Sequence, residues 1–333
     1  MVMFEFRKLW RILSICAVLF ISCASKSDAT PEVGTKPKPE VPKKEFVRKT
    51  EVVNYVEYRN GNAPFIISVP HDGSQTDEAV GKRTKENCPD PSFSTARDIN
   101  TSALADLIDS IFVAKTGKYP YMVIGRLSRK YVDFNRELKY AIVEGSDKGR
   151  TVYNTYHDRA YMASDSVTKN HGAGLLIDIH GHGHEIQQIE LGYLLKSSVL
   201  KLSNEDLASN VEYIKKSSIY NLVQHNKSRS GFIDLLRGAN SFGSILYKNG
   251  LACVPHSSNL SPGSSPYFSG GYITQAHGSS SAYSASGVVD AIQCEFNRDA
   301  RTIGNRKKTA EAVVNSVLEY MKLHYTFKNF EIE

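Results

Sequence analysis

Short apolar runs alternate with amphipathic segments along most of the chain after residue 50. Apolar runs rich in β-branched and aromatic residues predict five strands, at residues 65–69, 121–124, 175–179, 193–195 and 291–296. Apolar positions at helical spacing predict helices at residues 98–112 and 310–321. Strands that alternate with helices favour an α/β fold, a single three-layer domain whose mixed, mostly parallel sheet is covered on both faces. Residues 257–287, rich in Ser and Gly, predict a loop near the functional site.

The first 22 residues have the pattern of a signal peptide. Basic residues, Arg7, Lys8 and Arg11, precede an apolar stretch at 12–21 that is too short to span a bilayer comfortably. The sequence Phe-Ile-Ser-Cys that ends at Cys23 resembles a bacterial lipobox, with Phe in place of the usual Leu. We therefore expect a lipid on Cys23 and an extracytoplasmic location in a bacterial cell envelope. The alternative is an ordinary signal peptide cleaved nearby, with Cys23 incidental.

Composition then bounds the rest of the chain. Residues 24–49 are mostly Lys, Pro, Glu, Ser and Thr, which predicts a disordered linker. The organisation is thus a signal peptide at 1–22, a lipidated Cys and linker at 23–50, and a catalytic domain at 51–333. The net charge of +6 is not gathered into a dense basic stripe, so we expect no nucleic-acid partner. The domain's cysteines, Cys88, Cys253 and Cys294, allow one bridge but not a disulfide framework or a thiolate metal site.

Histidines stand at the ends of two predicted strands. His71 follows the first strand, and His180 ends the strand at 175–179 and opens a cluster with His182 and His184. Because strand ends in an α/β sheet converge on one crevice, His71 and His180 are expected to lie close together. Neutral imidazole is a good zinc ligand, and a hydrolytic zinc site uses three protein ligands with the fourth position left for water. The alternative for the cluster is a polar loop with solvated histidines.

Two further groups of polar residues carry candidate chemistry. Arg129, Asn135 and Arg136 lie just beyond a predicted strand, and Arg with Asn suits the binding of a substrate carboxylate. Glu295 lies among apolar residues near the end of the last predicted strand. A partly buried Glu has a raised pKa, which suits a general base. A structural ion pair between Glu295 and Arg298 is the alternative.

These motifs, taken in order, resemble the N-formylglutamate amidohydrolase family over residues 63–298. They are I-S-V-P-H-D-G at 67–73, Asp98 at a helix start, S-R at 128–129 with V-D-F-N-R at 132–136, Y-H at 156–157, D-I-H-G at 178–181, G-G-Y-I-T at 270–274 and I-Q-C-E at 292–295. That family is in turn similar in fold to zinc carboxypeptidases and aspartoacylase. The resemblance therefore implies a zinc carboxypeptidase-like fold, of the phosphorylase/hydrolase-like kind.

The resemblance also implies a metal site. Zinc carboxypeptidases bind zinc through a His-x-x-Glu motif and a later His, but this chain has Ser74 at the Glu position. His71 and His180 are thus the implied ligands, and the acidic ligand must come from elsewhere. Asp98 is the candidate, and its rivals are the acidic residues of the preceding segment, Asp77 and Glu78.

The implied reaction is zinc-dependent hydrolysis of an amide in an N-acyl amino acid or short peptide that carries a carboxylate. Glu295 is expected to act as the base, Arg129 to stabilise the oxyanion, and Asn135 and Arg136 to hold the carboxylate. His157, His182 and His184 are expected near the pocket, without an assigned role. The alternatives are an extracytoplasmic carboxypeptidase or peptidoglycan-peptide hydrolase, and a non-catalytic ligand-binding lipoprotein.

Overall fold

A computed structural model describes residues 46–283 and 287–332, and residues from Phe46 onward belong to one compact unit. Its described strands are β1 (Thr50–Val53), β2 (Val56–Arg59), β3 (Phe65–Val69), β4 (Tyr121–Gly125), β5 (Gly174–Gly181), β6 (Ile189–Gly192), β7 (Cys253–Val254) and β8 (Val289–Phe296). The predicted signal peptide, Cys23 and the linker up to residue 45 lie outside the described residues.

The strands form one mixed sheet in the order β1-β2-β4-β3-β5-β8-β6-β7. The four central strands, β4, β3, β5 and β8, are parallel to one another. Antiparallel pairing joins β1 to β2, β2 to β4 and β6 to β8, while β6 and β7 are parallel. All four central strands therefore end at the same edge of the sheet, where side chains from distant parts of the chain meet.

Helices cover the sheet. They are α1 (Thr101–Thr116), α2 (Leu138–Ala141), α3 (Asp147–His171), α4 (Ser197–Leu200), α5 (Asn204–Ser209), α6 (Val211–Lys216), α7 (Tyr220–His225), α8 (Phe232–Arg237), α9 (Phe242–Lys248), α10 (Tyr272–His277) and α11 (Arg306–His324), with a short 3-10 helix at Asp299–Arg301. Within residues 46–283 and 287–332, no helix is both long and apolar enough to cross a membrane.

The core lies on both faces of the central strands. Along β3, Phe65 and Ile67 belong to the apolar cluster that includes side chains of α1 and α11, whereas Ile66 belongs to the cluster that includes those of α3. Because successive side chains of a strand point to opposite faces, a strand buried on both faces is apolar at nearly every position. This arrangement confirms the predicted α/β class and the mostly parallel sheet covered on both sides.

The strands predicted at 65–69, 121–124, 175–179 and 291–296 are confirmed as β3, β4, β5 and β8. The strand predicted at 193–195 is wrong. The pairing segment is Ile189–Gly192, and Leu194 has a φ of 65°, in the left-handed region that ends the extended backbone.

The predicted helix at 98–112 begins later, at Thr101, because Asn100 has a left-handed φ of 71°. The predicted helix at 310–321 lies inside α11. The loop prediction for 257–287 is wrong in part, since α10 lies within it. Cys88, Cys253 and Cys294 are buried free thiols, so the possible disulfide is not formed.

Candidate metal centre

Two histidines and one aspartate meet at the carboxyl edge of the parallel strands. His71 follows β3 and His180 lies near the end of the neighbouring β5, which brings their ring centroids to 4.8 Å. Asp98 precedes α1, and its backbone N–H donates to the carbonyl of His71 at 3.0 Å. One ligand atom from each of the three residues lies within 4.8 Å of the others, and all three side chains are buried.

The His71 ring is oriented by a buried carboxylate. Its Nε2 lies 2.7 Å from Oδ1 of Asp133, and a carboxylate oxygen only accepts, so Nε2 carries the hydrogen. The other nitrogen, Nδ1, then presents a lone pair. Among the described residues this buried atom has no hydrogen-bond partner, and it lies 3.5 Å from Oδ2 of Asp98.

His180 is held in the same way. Its Nε2 lies 2.8 Å from Oδ2 of Asp178, which leaves Nδ1 3.2 Å from Oδ2 of Asp98. Against the effect of burial, the negative charges of Asp178 and Glu295 raise the pKa of His180. Burial also opposes the ionisation of Asp98, yet the neighbouring His180 and His71 hold the pKa of Asp98 far below its usual range. Carboxylates of Asp98, Asp133 and Asp178 thus lie against the two imidazoles, an arrangement that favours a cation.

These donors fit a zinc ion. Two imidazole nitrogens and one carboxylate oxygen match the three-ligand set of hydrolytic zinc sites. An outer carboxylate behind each imidazole is also typical, since it fixes the tautomer and raises the basicity of the ligand. The unpartnered Nδ1 of His71 is the observation that the metal explains, because a buried acceptor without a donor is costly.

Glu295 lies beside this centre on β8. It is the register partner of His180 across the β5–β8 pair, and its Oε1 lies 3.9 Å from Nδ1 of His180. Burial, partly offset by His180 and reinforced by Asp98 and Glu190, raises the pKa of Glu295 to about 8. Its described hydrogen bond comes from the Gln293 side chain at 3.0 Å, and none of the described ion pairs joins it to Arg298.

Arg129 and Asn135 border the centre. Nε of Arg129 donates to Oδ2 of Asp133 at 2.8 Å, and no other described residue accepts a hydrogen bond from this guanidinium. Nδ2 of Asn135 lies 3.3 Å from both Oε1 of Gln293 and Nε2 of His180. Its Oδ1 accepts from the backbone N–H of Ile273 in α10 at 2.8 Å. Both side chains are thus held against residues of the centre.

Arg136 and the rival acidic ligands have other partners. Arg136 donates through Nε to Asp90 at 2.6 Å and through its other nitrogens to the backbone oxygens of Asn135 and Ser92. Asp77 pairs with Lys148 and Tyr55. Glu78 pairs with Lys82 and accepts from Tyr131. Of the three acidic candidates, Asp98 is the one that the structure brings to the histidines.

The remaining histidines form two other groups. Nδ1 of His184 lies 2.6 Å from Oε1 of Glu190, and His182 lies next to them. However, Nδ1 of His182 already accepts the backbone N–H of His184 at 3.1 Å. His157, on α3, lies against His277 of α10 and is separate from both groups.

The sequence prediction gave no role to Asp133, Asp178 or Gln293. The sequence does contain a signal for two of these residues, because side chains two positions apart on a strand point to the same face. Asp178 precedes His180 by two residues on β5, and Gln293 precedes Glu295 by two on β8. Asp133 lies on a loop, where no such periodicity applies.

No protein-family model matches this sequence, and no curated protein matches it. Among solved structures, the chain is similar to an N-formylglutamate amidohydrolase from Ralstonia eutropha, with 11% identity, a TM-score of 0.47 and coverage of 81% of this chain and 99% of that one. It is also similar to an N-acetylmuramyl-L-alanine amidase from Mycobacterium smegmatis, with 13% identity, a TM-score of 0.32 and coverage of 77% and 96%. The predicted family membership stays a prediction, and a function has to be argued from the residues of the site.

Proposed function

We propose that this protein is a zinc-dependent hydrolase that cleaves an amide bond of an N-acyl amino acid or short peptide bearing a carboxylate. One observation carries the proposal: His71 and His180 each turn Nδ1 toward Oδ2 of Asp98, at 3.5 and 3.2 Å, with a second carboxylate behind each ring. A purely structural histidine needs one carboxylate partner, and each of these rings already has one in Asp133 or Asp178. A cation held by these three residues accounts for all of these orientations.

A bound zinc ion would polarise the scissile carbonyl and make a water molecule more acidic. Glu295 accepts the proton of the attacking water as its oxygen bonds to the carbonyl carbon. It then returns that proton to the amide nitrogen as the C–N bond breaks. Burial suits Glu295 to both steps, since it raises the pKa of the carboxyl to about 8, near the working pH of a base that must also act as an acid.

Arg129 is our candidate for stabilising the negative charge that develops on the carbonyl oxygen. Its Nε is fixed by Asp133, which orients the rest of the guanidinium without occupying it. Asn135 and Arg136 are proposed to bind the substrate carboxylate. For Arg136 this means sharing its guanidinium between the substrate and Asp90, since their hydrogen bond is 2.6 Å long.

We also propose that the enzyme works outside the cytoplasm. The support is the signal-peptide pattern of residues 1–22 and the lipobox-like sequence that ends at Cys23. A substrate met there differs from one met in the cytoplasm, and fold-level chemistry can persist while the substrate changes. Peptides and acylated amino acids in the envelope are therefore the substrates to test first.

The test combines metal analysis with turnover. We expect about one zinc per chain in the purified protein, and loss of both zinc and activity in His71→Ala and His180→Ala. Glu295→Gln should keep its zinc and melting temperature but lose about 10²–10⁴-fold in turnover, because glutamine cannot accept the proton. A panel of N-formyl, N-acetyl and dipeptide substrates, each with a free or amidated carboxylate, reports the substrate class.

Glu185→Gln is the matched control, because Glu185 is an exposed glutamate on the loop after β5, the strand that pairs with β8. It should behave as the parent protein does. A parent protein that binds no zinc would contradict the metal assignment. Zinc-loaded Glu295→Gln with near-normal turnover would remove Glu295 as the base, and zinc binding without any turnover on the panel would favour a non-catalytic binding protein.

A further inference from the structure

Apart from the metal centre, a cavity of about 510 Å³ lies on the α3 face of the sheet. It is bordered by the second half of α3, by α10, and by the start of β8 with the two residues before it. Val289, which lines it, and Glu295 of the metal centre are six residues apart on β8, which corresponds to roughly 20 Å along the strand. The cavity is therefore a separate place from the metal centre, and its volume is in the range of small-molecule sites.

His277 borders this cavity with an unused acceptor. Nε2 of His157 lies 3.1 Å from the carbonyl oxygen of Phe134, so Nε2 carries the hydrogen and Nδ1 of His157 is an acceptor. Nε2 of His277 lies 2.9 Å from that Nδ1 and must donate to it. Nδ1 of His277 is consequently a lone pair, and among the described residues it has no partner.

Both imidazoles are neutral in this arrangement. Burial lowers the pKa of His157 to about 4, and burial together with His157 lowers the pKa of His277 well below its usual range. His277 is only 5% exposed, yet it lines the cavity. A buried acceptor at a cavity wall is costly unless a donor reaches it. The hydrogen bond to the carbonyl oxygen of Phe134 fixes the tautomers of both histidines, so a proton cannot move onto Nδ1 of His277.

A second buried polar atom beside the cavity also supports a ligand site there. Oγ of Ser164, on α3, is buried without a hydrogen-bond partner among the described residues, and Ser164 also lines the cavity. Tyr161 and Tyr272 present aromatic rings beside these two polar residues, and Asp165 adds a carboxylate. The described lining contains no Lys or Arg, which disfavours an anionic ligand.

We propose that this cavity is a binding site for a neutral, hydroxyl-rich small molecule of the size of a monosaccharide. Sugar hydroxyls can donate to Nδ1 of His277 and to Asp165 while they exchange hydrogen bonds with Ser164. The apolar face of a pyranose ring can pack against a tyrosine ring, whose body is apolar and whose tip is polar. This site goes beyond the proposed hydrolase function, because it uses none of the residues of the metal centre.

The experiment is ligand-observed NMR and calorimetry on the full-length protein, with D-glucose and N-acetyl-D-glucosamine as probes. We expect saturable binding of at least one of them. Glucose 6-phosphate should bind at least tenfold more weakly, since its charge meets Asp165 and no cation. Ser164→Leu, which fills the cavity, and His277→Phe, which keeps a ring but removes the acceptor, should each weaken binding at least tenfold.

Ser110→Ala is the control, because Ser110 is exposed on α1, which packs with the apolar cluster on the other face of the sheet. It should bind the sugars as the parent does, and so should His180→Ala, which is altered only at the metal centre. The proposal is overturned if neither sugar binds, or if binding survives in folded Ser164→Leu and His277→Phe. It is also overturned if His180→Ala abolishes binding, because the sugar would then occupy the metal centre.

Discussion

Asp178 and Asp133 determine which nitrogen of each histidine faces the proposed metal. Asp178 accepts Nε2–H of His180 through Oδ2 and the hydroxyl of Ser68 through Oδ1 at 2.7 Å. The Ser68 hydroxyl lies in turn 2.8 Å from that of Tyr156. The imidazole is thus oriented by a chain of buried groups, each of which has a partner.

This chain predicts the effect of Asp178→Asn. The variant keeps an oxygen for Nε2–H of His180 but removes the negative charge that makes the imidazole a stronger ligand. We expect zinc affinity to fall about 10–100-fold, measured by competition with a chromophoric chelator. Asp158→Asn, an exposed position on α3, should leave the affinity unchanged. Equal affinities for the parent and Asp178→Asn would show that the outer carboxylate does not tune the centre.

Asp290 is a second buried carboxylate, far from the metal centre, and it predicts a pH effect on stability. Burial raises the pKa of Asp290 to about 7, although Ser279, the backbone N–H of Leu222 and Tyr325 donate hydrogen bonds to it. The folded protein therefore binds this proton more tightly than the unfolded chain does. Its contribution to stability is fully present below the unfolded pKa of about 4 and is lost as the pH rises through about 7.

Asp290→Asn removes this titration while it keeps an acceptor for Ser279 and Leu222. Between pH 5 and pH 7 the free energy of unfolding of the parent should fall, relative to that of the variant, by about 2 kcal/mol. Chemical denaturation of both proteins across this pH range measures the difference. Parallel pH profiles for the two proteins would mean that the Asp290 carboxyl does not carry the shifted proton.

At the scale of elements, the sequence predicts the parallel centre well because its strands are buried on both faces. Such strands are continuous apolar runs, as in β3 and β5. Strands β1 and β2, at one end of the sheet, were missed. β1 is exposed along its whole length, and Glu57 and Arg59 interrupt the apolar pattern of β2. β6 was placed too late, because Glu190 interrupts its apolar pattern while residues 193–195 look more strand-like.

The long helix α3 was missed for a different reason. Most of its buried positions are taken by small, aromatic and imidazole side chains, and only Val152 and Val167 are branched aliphatic residues. The buried positions have a helical spacing of three and four residues, but a search for aliphatic periodicity overlooks it. The histidines and Glu295 could be predicted because they end strands, whereas the contact between α10 and Asn135 depends on loop geometry that no local pattern encodes.

That contact leads to a prediction for α10. A Cβ added at Gly271, which precedes the helix, would lie 2.3 Å from Nδ2 of Asn135. Because the Asn135 amide is also bonded to Ile273 and Gln293, it cannot move away freely. We expect Gly271→Ala to cost about 1–3 kcal/mol of stability and to lower turnover by displacing Asn135.

Gly304→Ala is the matched control, since a Cβ there meets no atom within 4 Å. Thermal melts and turnover on the same substrate panel compare the two variants. If Gly271→Ala retains the stability and activity of the parent, then Asn135 either adapts or has no part in the site.

At the scale of the whole molecule, the sheet topology explains how one centre gathers residues from distant parts of the chain. His71, His180 and Glu295 end three strands that are adjacent in space, β3, β5 and β8, although more than 200 residues separate the first from the last. Since these strands are parallel, each long connection returns the chain to the opposite edge before the next strand begins. The loops at the carboxyl edge then supply Asp98 and Arg129.

The last prediction concerns where the whole chain is located. We propose that Cys23 carries a lipid, and Cys23→Ser should then lose lipid labelling and keep its signal segment, so that it migrates as a larger protein. Cys16→Ser, inside the apolar stretch at 12–21, is the control and should be labelled and processed normally. Membrane fractionation alone does not decide the matter, because an uncleaved apolar segment can also hold a chain at the membrane. Normal processing of Cys23→Ser, or a parent protein without lipid, would instead mean that an ordinary signal peptidase releases the protein.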